Sequence, residues 1–188
     1  MPRPAFIVDG QMERRILEAL CPNTPIKLIG CNGESVSMEV VAKFVDTQIR
    51  MLNNRNYPIV VLLDREGREE STGDLIARLK NELNAFGHEG QFAIGMPDRM
   101  IENWILADKK NFQQHCDRRH DYVSEGIHGK TNLRRMLARG ATYHETTIGV
   151  SIFLSGDPKK IYENSESFRN FVDAIKGMDC PYLEPVFG

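Results

Sequence analysis

The feature that most constrains the fold is an unbroken apolar run at residues 58–63 (PIVVLL), which ends abruptly at Asp64. Continuous apolar character, without alternating polar positions, is typical of a strand that is buried on both faces. Such strands lie in parallel sheets that are covered by helices on both sides. The run therefore predicts the central strand of an α/β domain.

Three further short apolar runs, at residues 5–8, 26–29 and 91–96, also predict strands. Longer segments lie between them, and their apolar residues recur at helical spacing. Strands that alternate with helices favour a mostly parallel sheet. We therefore expect an α/β fold of the Rossmann-like kind, with about four strands flanked by helices.

We expect residues 1–108 to form this α/β core and residues 109–188 to form a helix-rich C-terminal extension packed on the same domain. Within the extension, residues 130–139 have helical character and Gly140 is expected to end that helix. Residues 148–154 fit a helix or a strand equally well.

Several polar residues predict helix starts. Ser71 and Asp74 have the spacing of a capping box, and Asp98 is expected to cap the helix after the fourth strand. Either Ser165 or Ser167 suits the N-cap of a last helix.

Composition excludes several classes of protein. The chain has 188 residues, of which 41% are hydrophobic and 27% charged, as in folded globular domains rather than disordered chains. No apolar run approaches the roughly 20 residues that cross a bilayer, so no membrane partner is expected. The first residues lack the apolar stretch of a signal peptide, and the expected compartment is the cytoplasm.

The cysteines show no framework pattern. The four cysteines are scattered along the chain without a Cys-x-x-Cys pair, which predicts reduced thiols. His115, Cys116, His120 and His128 lie close in sequence, but their spacing matches no standard zinc pattern. Ordinary surface or core histidines are the favoured interpretation.

Charge is unevenly distributed, although the formal net charge is only −2. Residues 109–139 contain eight Lys or Arg against three Asp or Glu. A basic segment of this kind suits a polyanion such as nucleic acid. A solvated, charged helix face explains it equally well.

Acidic residues follow the predicted strands. Asp9 ends the first strand and Glu13 lies one helical turn later, Asp64 and Glu66 end the central strand, and Glu102 follows the fourth. Ligands of open α/β sheets bind at the carboxyl ends of the strands. Carboxylates gathered there suit Mg²⁺ or Mn²⁺, which orient water and neutralise phosphate charge.

Each acid also has a purely structural interpretation. Asp9 alone is more simply a turn or cap residue. Asp64 and Glu66 point the same way if the chain is extended, yet neighbouring arginines make a surface ion-pair cluster an alternative. Glu102 lies in a mostly apolar helix, where it either faces solvent beside Asn103 or points into a site.

Three motifs resemble those of Toprim domains. Residues 6–13 (FIVDGQME) resemble the Val-Glu-Gly-x-x-Glu opening motif, and residues 64–66 (DRE) resemble the Asp-x-Asp motif. Residues 102–108 (ENWILAD) resemble a Glu-x-Trp-Leu-Leu-Ala-Asp signature of small stand-alone Toprim-related proteins found near ATPases in bacterial defence loci. The resemblance spans the first 108 residues, and residues 128–130 and 167–169 match less closely.

The resemblance implies a site. Toprim proteins include topoisomerases, primases and the overcoming-lysogenization-defect (OLD) nucleases. By this resemblance, the metal ligands of this chain would be Asp9, Asp64, Glu66 and Glu102. Asp9 and Glu13 would act as catalytic acids or bases, and Lys130 would steady a phosphate. Asp9 is shorter than the family's glutamate and Glu66 longer than its second aspartate. Both substitutions keep the charge.

These features lead to three hypotheses. The first is a Mg²⁺- or Mn²⁺-dependent nuclease that cuts DNA or RNA, controlled by a partner ATPase in a bacterial defence system. The second is a regulatory or binding subunit that keeps the fold but has lost the chemistry. The third is a phospho-acceptor domain that uses Asp64, although the sequence has no Gly-rich phosphate loop.

Overall fold

A computed structural model describes residues 3–31, 36–52, 56–89, 92–178 and 180–188 of the chain. A single four-stranded sheet lies at its centre, with strand order β2-β1-β3-β4 and every neighbouring pair parallel. The strands are β1 Arg3–Val8, β2 Ile26–Leu28, β3 Asn56–Leu62 and β4 Phe92–Gly95. The predicted α/β fold class is confirmed; Gln91, placed in the fourth strand by the sequence, lies outside the described residues.

Helices connect and cover these strands. The first three are α1 Gln11–Leu20, α2 Met38–Met51 and α3 Thr72–Ala85. Then follow α4 Glu102–Ala107, α5 Lys109–Gln113, α6 Gly129–Met136, a π-helix Glu145–Gly149, α7 Val150–Ser155, α8 Pro158–Asn164, α9 Glu166–Ala174, a 3₁₀ helix Pro181–Leu183 and α10 Glu184–Phe187. The ambiguous residues 148–154 are therefore helical.

The sheet is buried on both faces, as the apolar run of β3 predicts. Ile59, Val61 and Leu63 pack in one apolar cluster with α2 and α3. Val60 and Leu62 pack in a second cluster with α1, α4 and the helices of the C-terminal part. Alternate residues of one strand therefore serve two separate cores, which a period of two requires.

Aromatic residues join the C-terminal helices to the sheet. Trp104 of α4 stacks on Phe171 at 5.3 Å between ring centroids and meets Phe168 edge-on at 5.0 Å. Phe171 lies directly on Gly95 of β4, where any Cβ atom would collide with its ring. The close approach of α9 to the sheet explains why a glycine stands at this position.

Two of the predicted helix caps are confirmed. The Ser71 hydroxyl accepts a hydrogen bond from the Asp74 amide, and the Ser165 hydroxyl accepts one from the Phe168 amide. The predicted cap at Asp98 is wrong, because α4 begins only at Glu102. The Asp98 carboxylate is instead paired with Arg65 at 3.2 Å, so it fixes a loop rather than a helix end.

The expectation of reduced thiols is wrong for two of the four cysteines. Cys21 and Cys180 form a disulfide with their Cα atoms 4.4 Å apart, whereas Cys31 and Cys116 are free. The partners are 159 residues apart, and only the folded topology brings the end of α1 against the C-terminal segment. Sequence spacing carries no signal for such a long-range pair.

No helix within the described part of the chain is both long enough and apolar enough to span a bilayer.

Candidate functional site

A cavity of about 1080 Å³ lies at the carboxyl end of the sheet. All six side chains predicted as site residues line it, and they come from both halves of the chain: Asp9, Glu13, Asp64, Glu66, Glu102 and Lys130. The structure therefore brings together every residue of the predicted site. Five carboxylates and one ammonium group share the space.

The parallel sheet explains this gathering. Val8 of β1 is in register with Leu62 of β3, and Leu62 with Gly95 of β4, so three strands end at one level. Asp9 follows β1 directly, and its amide donates a hydrogen bond to the Leu62 carbonyl at 3.1 Å. Asp64 lies two residues beyond β3. The acids are neighbours because their strands are.

Glu13 reaches the cavity from the first turn of α1, which begins immediately after Gly10. A Cβ atom at Gly10 would lie 2.5 Å from Glu13 Oε2. The glycine therefore leaves room for the carboxylate to turn back over the strand end. Glu102 arrives in the same way, as the first residue of α4.

The segment after β3 is not extended, contrary to the reasoning that placed Asp64 and Glu66 on one side. Glu66 has a left-handed backbone with φ of 55°. Its amide donates to the Arg99 carbonyl at 2.6 Å, and the Arg99 guanidinium donates to the Glu66 carbonyl at 3.1 Å. Parallel strands end at this edge, and this turn, rather than an extended chain, then directs both side chains to the cavity.

The neighbouring arginines have structural partners of their own. Arg65 pairs with the Asp98 carboxylate, and Arg68 donates to the main-chain oxygens of Asp64 and Val36 at 3.2 Å each. These contacts fold the loop around the acids.

Asp64 has an unusual environment. Its Oδ1 atom is fully buried and has no hydrogen-bond partner among the described residues. Burial, together with the nearby carboxylates of Glu13 and Glu102, raises the pKa of Asp64 well above its ordinary value. An isolated buried carboxylate oxygen is costly, so this atom requires either a proton or a bound cation.

Glu13 and Glu102 are 5% and 4% exposed, respectively. Burial and the nearby negative charges of Glu102, Asp9 and Glu145 raise the pKa of Glu13 to about 7. Burial likewise raises the pKa of Glu102, and it raises the pKa of Asp9 against the opposing effect of Arg68. The cluster therefore holds protons that isolated carboxylates would lose.

Glu102 makes one contact that the sequence does not indicate. The Tyr143 hydroxyl donates a hydrogen bond to Glu102 Oε1 at 3.0 Å and lies 3.7 Å from the sulfur of Met12. Burial and the neighbouring Glu102 raise the pKa of the Tyr143 hydroxyl, so it remains a donor. A lone tyrosine outside any predicted motif gave no signal of this role.

A basic rim faces the acids. The Lys130 ammonium group is paired with the Glu145 carboxylate, and Arg134 Nη2 lies 3.8 Å from the same carboxylate. The Arg134 guanidinium also lies 5.8 Å from the centre of the Tyr143 ring. Glu145 was not predicted as a site residue, although its position close to the basic segment in sequence could have indicated that role.

The motif at residues 102–108 has mixed roles. Only Glu102 lines the cavity. Asn103 is fully buried and donates to the carbonyls of Ser124 and Ile127 at 2.6 and 3.0 Å. Asp108 caps α5 by accepting from the Asn111 amide at 3.0 Å. The other polar residues of the motif therefore bind neighbouring segments of the backbone rather than line the cavity.

The donor set suits a hydrated divalent cation. Among the described residues, no three or more His, Cys, Asp or Glu side chains are arranged so that they could hold a metal ion by themselves. Mg²⁺, however, usually takes one or two carboxylates and keeps several waters. The unpartnered oxygen of Asp64 and the carboxylate oxygens that line the cavity fit such an ion.

Among the described residues, no group of three or more ligands that could hold a metal ion includes His115, Cys116, His120 or His128. His128 has a structural role, because its Nδ1 atom accepts a hydrogen bond from the Thr131 amide at 3.3 Å and caps α6.

Comparison with known proteins gives a family but no activity. No curated protein and no solved structure matches the chain. Residues 10–176 match the family described as "Domain of unknown function (DUF4276)". The matched segment contains Glu13, Asp64, Glu66, Glu102 and Lys130. Because it covers most of the 188 residues, the chain belongs to the DUF4276 family.

Proposed function

We propose that the chain is a phosphodiesterase that cleaves nucleic acid with the help of Mg²⁺ or Mn²⁺. One observation carries the proposal: six carboxylates line a single cavity, and a buried oxygen of Asp64 lacks a partner among the described residues. The motifs that resemble Toprim domains support the same chemistry.

The residues have distinct proposed roles. Asp9, Asp64, Glu66 and Glu102 would hold the cation, directly or through water. The bound cation would supply charge neutralisation at the phosphate and orient an attacking water. Tyr143 keeps one oxygen of Glu102 engaged, so the other oxygen is left to face the cavity.

Proton transfer falls to Glu13. A carboxyl group with a pKa of about 7 exchanges protons readily at neutral pH, as a general acid or base should. Asp9, the neighbouring acid at the end of β1, is the second candidate for this role. Lys130 on the opposite rim would contact a phosphate oxygen of the substrate.

The proposed partners and location follow from the sequence. DNA or RNA is the proposed substrate, and the resemblance to proteins near ATPases in bacterial defence loci supports an ATPase partner. A cytoplasmic location remains a prediction. The Cys21–Cys180 disulfide argues for surroundings less reducing than the usual cytoplasm.

The test is cleavage of plasmid DNA, single-stranded DNA and tRNA with Mn²⁺ or Mg²⁺, against the same reactions in EDTA. The Asp64→Asn variant keeps the shape of the side chain but removes its charge. We expect metal-dependent cleavage that this variant lacks. The matched control is Asp121→Asn, which changes an exposed loop aspartate outside the cavity and should cleave normally.

A specific observation supports a second candidate, a regulatory or binding subunit without catalysis. No ready-made group of three metal ligands exists among the described side chains. This candidate predicts no cleavage of any substrate and no calorimetric signal for Mn²⁺ binding. Mn²⁺ binding that Asp64→Asn abolishes, without cleavage, would instead indicate an enzyme that requires its activating partner.

A further inference from the structure

The basic rim of the cavity has an internal partner. The Glu145 carboxylate contacts the Lys130 ammonium group and lies 3.8 Å from Arg134 Nη2. These side chains are partly exposed, at 40% for Glu145, 31% for Lys130 and 54% for Arg134, and all three line the cavity. The two cations therefore converge on one anion at the mouth of the site.

We propose that Lys130 and Arg134 form a phosphate subsite, which the Glu145 carboxylate fills until a substrate phosphate displaces it. A carboxylate and a phosphate offer the same kind of charged oxygen acceptor to these donors. Partly exposed ion pairs are weak, so a phosphate group with more oxygens competes effectively. This inference rests on the proposed function in one respect, the assignment of a phosphodiester substrate.

The segment that carries Glu145 is held at the cavity by other contacts. Glu145 begins a π-helix, a rare form that occurs often at functional sites. The next residue, Thr146, also lines the cavity, and its carbonyl accepts a hydrogen bond from the Arg15 guanidinium of α1 at 2.9 Å. The Glu145 side chain can therefore leave the two cations while its backbone stays anchored.

The charge of Glu145 also acts on the acidic side of the cavity. It contributes to the raised pKa values of Glu13 and Glu102. Glu145 lines the same cavity as Glu13 and Glu102, so a phosphate that displaced it would lie in one space with the acidic cluster.

The experiment measures binding without metal, so its result does not depend on cleavage. A fluorescent single-stranded oligonucleotide of about 12 nucleotides is titrated in EDTA by fluorescence anisotropy at several salt concentrations. Glu145→Gln should bind it about threefold more tightly than the wild type, because a negative charge next to the subsite is removed. Lys130→Gln should bind more weakly and reduce the salt slope by about one.

Two further variants separate the subsite from a general effect of charge. Glu163→Gln removes a carboxylate that pairs with Lys160 at 2.8 Å outside the cavity lining, and it should leave the affinity unchanged. In the Lys130→Gln background, adding Glu145→Gln should tighten oligonucleotide binding much less than it does in the wild type. Equal tightening by Glu163→Gln, no tightening by Glu145→Gln, or a full gain in the double variant would each overturn the proposal.

Competition with inorganic phosphate then identifies the form of the ligand. Stronger competition in Glu145→Gln than in the wild type supports a subsite that accepts a lone phosphate group. Equal, weak competition beside tighter oligonucleotide binding supports one that requires a phosphodiester within a chain. Arg134→Gln provides a second loss variant if Lys130→Gln does not fold. Tighter binding by Glu145→Gln without metal-dependent cleavage would leave the subsite standing and count only against nuclease activity of the isolated chain.

Discussion

The hydroxyl of Tyr143 donates a hydrogen bond to Glu102 Oε1 across 3.0 Å, joining two residues that are 41 positions apart. The contact connects α4, which follows the sheet, to the loop before the π-helix. It engages one oxygen of Glu102 and fixes the orientation of the carboxylate. A group that orients a metal ligand strongly affects metal affinity, even though it does not touch the ion.

We therefore expect Tyr143→Phe to weaken Mn²⁺ binding about tenfold and to lower the free energy of unfolding by about 1 kcal/mol. Isothermal titration calorimetry measures the first and urea unfolding the second. Tyr182→Phe is the matched control, since the Tyr182 hydroxyl donates to the carbonyls of Phe153 and Gly156 away from the cavity. The control should lose stability but keep its Mn²⁺ affinity. Equal Mn²⁺ affinity in both variants would contradict the positioning role.

The raised pKa of Glu13 predicts a pH dependence of stability in the absence of metal. The folded protein holds this proton with a pKa of about 7, against 4.5 for an unperturbed glutamate. Between these pH values the folded state binds more protons than the unfolded state, so its stability falls as pH rises. The loss is complete above pH 7 and amounts to at most about 3 kcal/mol.

The Glu13→Gln variant tests this dependence because it cannot ionise. In EDTA it should be more stable than the wild type at pH 8, and the difference should shrink towards pH 5. Urea unfolding at both pH values measures the change. Glu18→Gln changes an exposed glutamate on the same helix, paired with Arg14 at 2.9 Å, and should show little pH-dependent gain. A Glu13→Gln difference that is the same at both pH values would disprove the assignment.

We expect the hydrogen bonds of Asn103 to stabilise the folded protein. Its amide donates hydrogen bonds to the Ser124 and Ile127 carbonyls, and its Oδ1 atom accepts one from the Met100 amide at 3.1 Å. Asn103→Asp keeps the shape but directs a carboxylate at the two carbonyls, which we expect to cost about 3 kcal/mol or more. Urea unfolding measures the loss. The exposed Asn164→Asp should change stability by no more than about 0.5 kcal/mol, and a similarly small effect at Asn103 would show that its network tolerates a charge.

The disulfide predicts a redox-dependent stability. Reduction, or the double substitution Cys21→Ser, Cys180→Ser, should lower the free energy of unfolding by about 2–4 kcal/mol, because a long loop of the unfolded chain is released. Alkylation of the unfolded protein without reductant should modify only Cys31 and Cys116. The variant Cys31→Ser, Cys116→Ser is the control, and its stability should still fall when the protein is reduced. Labelling of all four cysteines would rule out the bond.

Much of the fold could be predicted from the sequence because its signals are local. The unbroken run that became β3 requires burial on both faces, and the acids at the strand ends converge because parallel strands end at one edge. The sequence therefore predicts that Asp64, Glu66 and Glu102 lie together, and all three line the cavity. The capping sites at Ser71 and Ser165 depend on nearest neighbours and were found for the same reason.

The remaining features depend on contacts between distant segments. Tyr143 and Glu145 reach the cavity only through the packing of the C-terminal helices, and the disulfide joins residues 159 positions apart. Asp98 has the right residue type for a cap, but its pairing with Arg65 outweighs that preference. The capping preference of a residue does not decide its role where a tertiary contact is more favourable.

The shared core of the sheet and the C-terminal helices also limits how this protein can change during evolution. The acidic cluster of the cavity comes from the first part of the chain and the basic rim from the second. Yet Val60 and Leu62 of the first part pack in the same apolar cluster as Phe168 and Phe171 of the second. Recombination that exchanged one part alone would strip that cluster of its cover. New specificities should therefore arise by point substitution along the rim, with both parts inherited together.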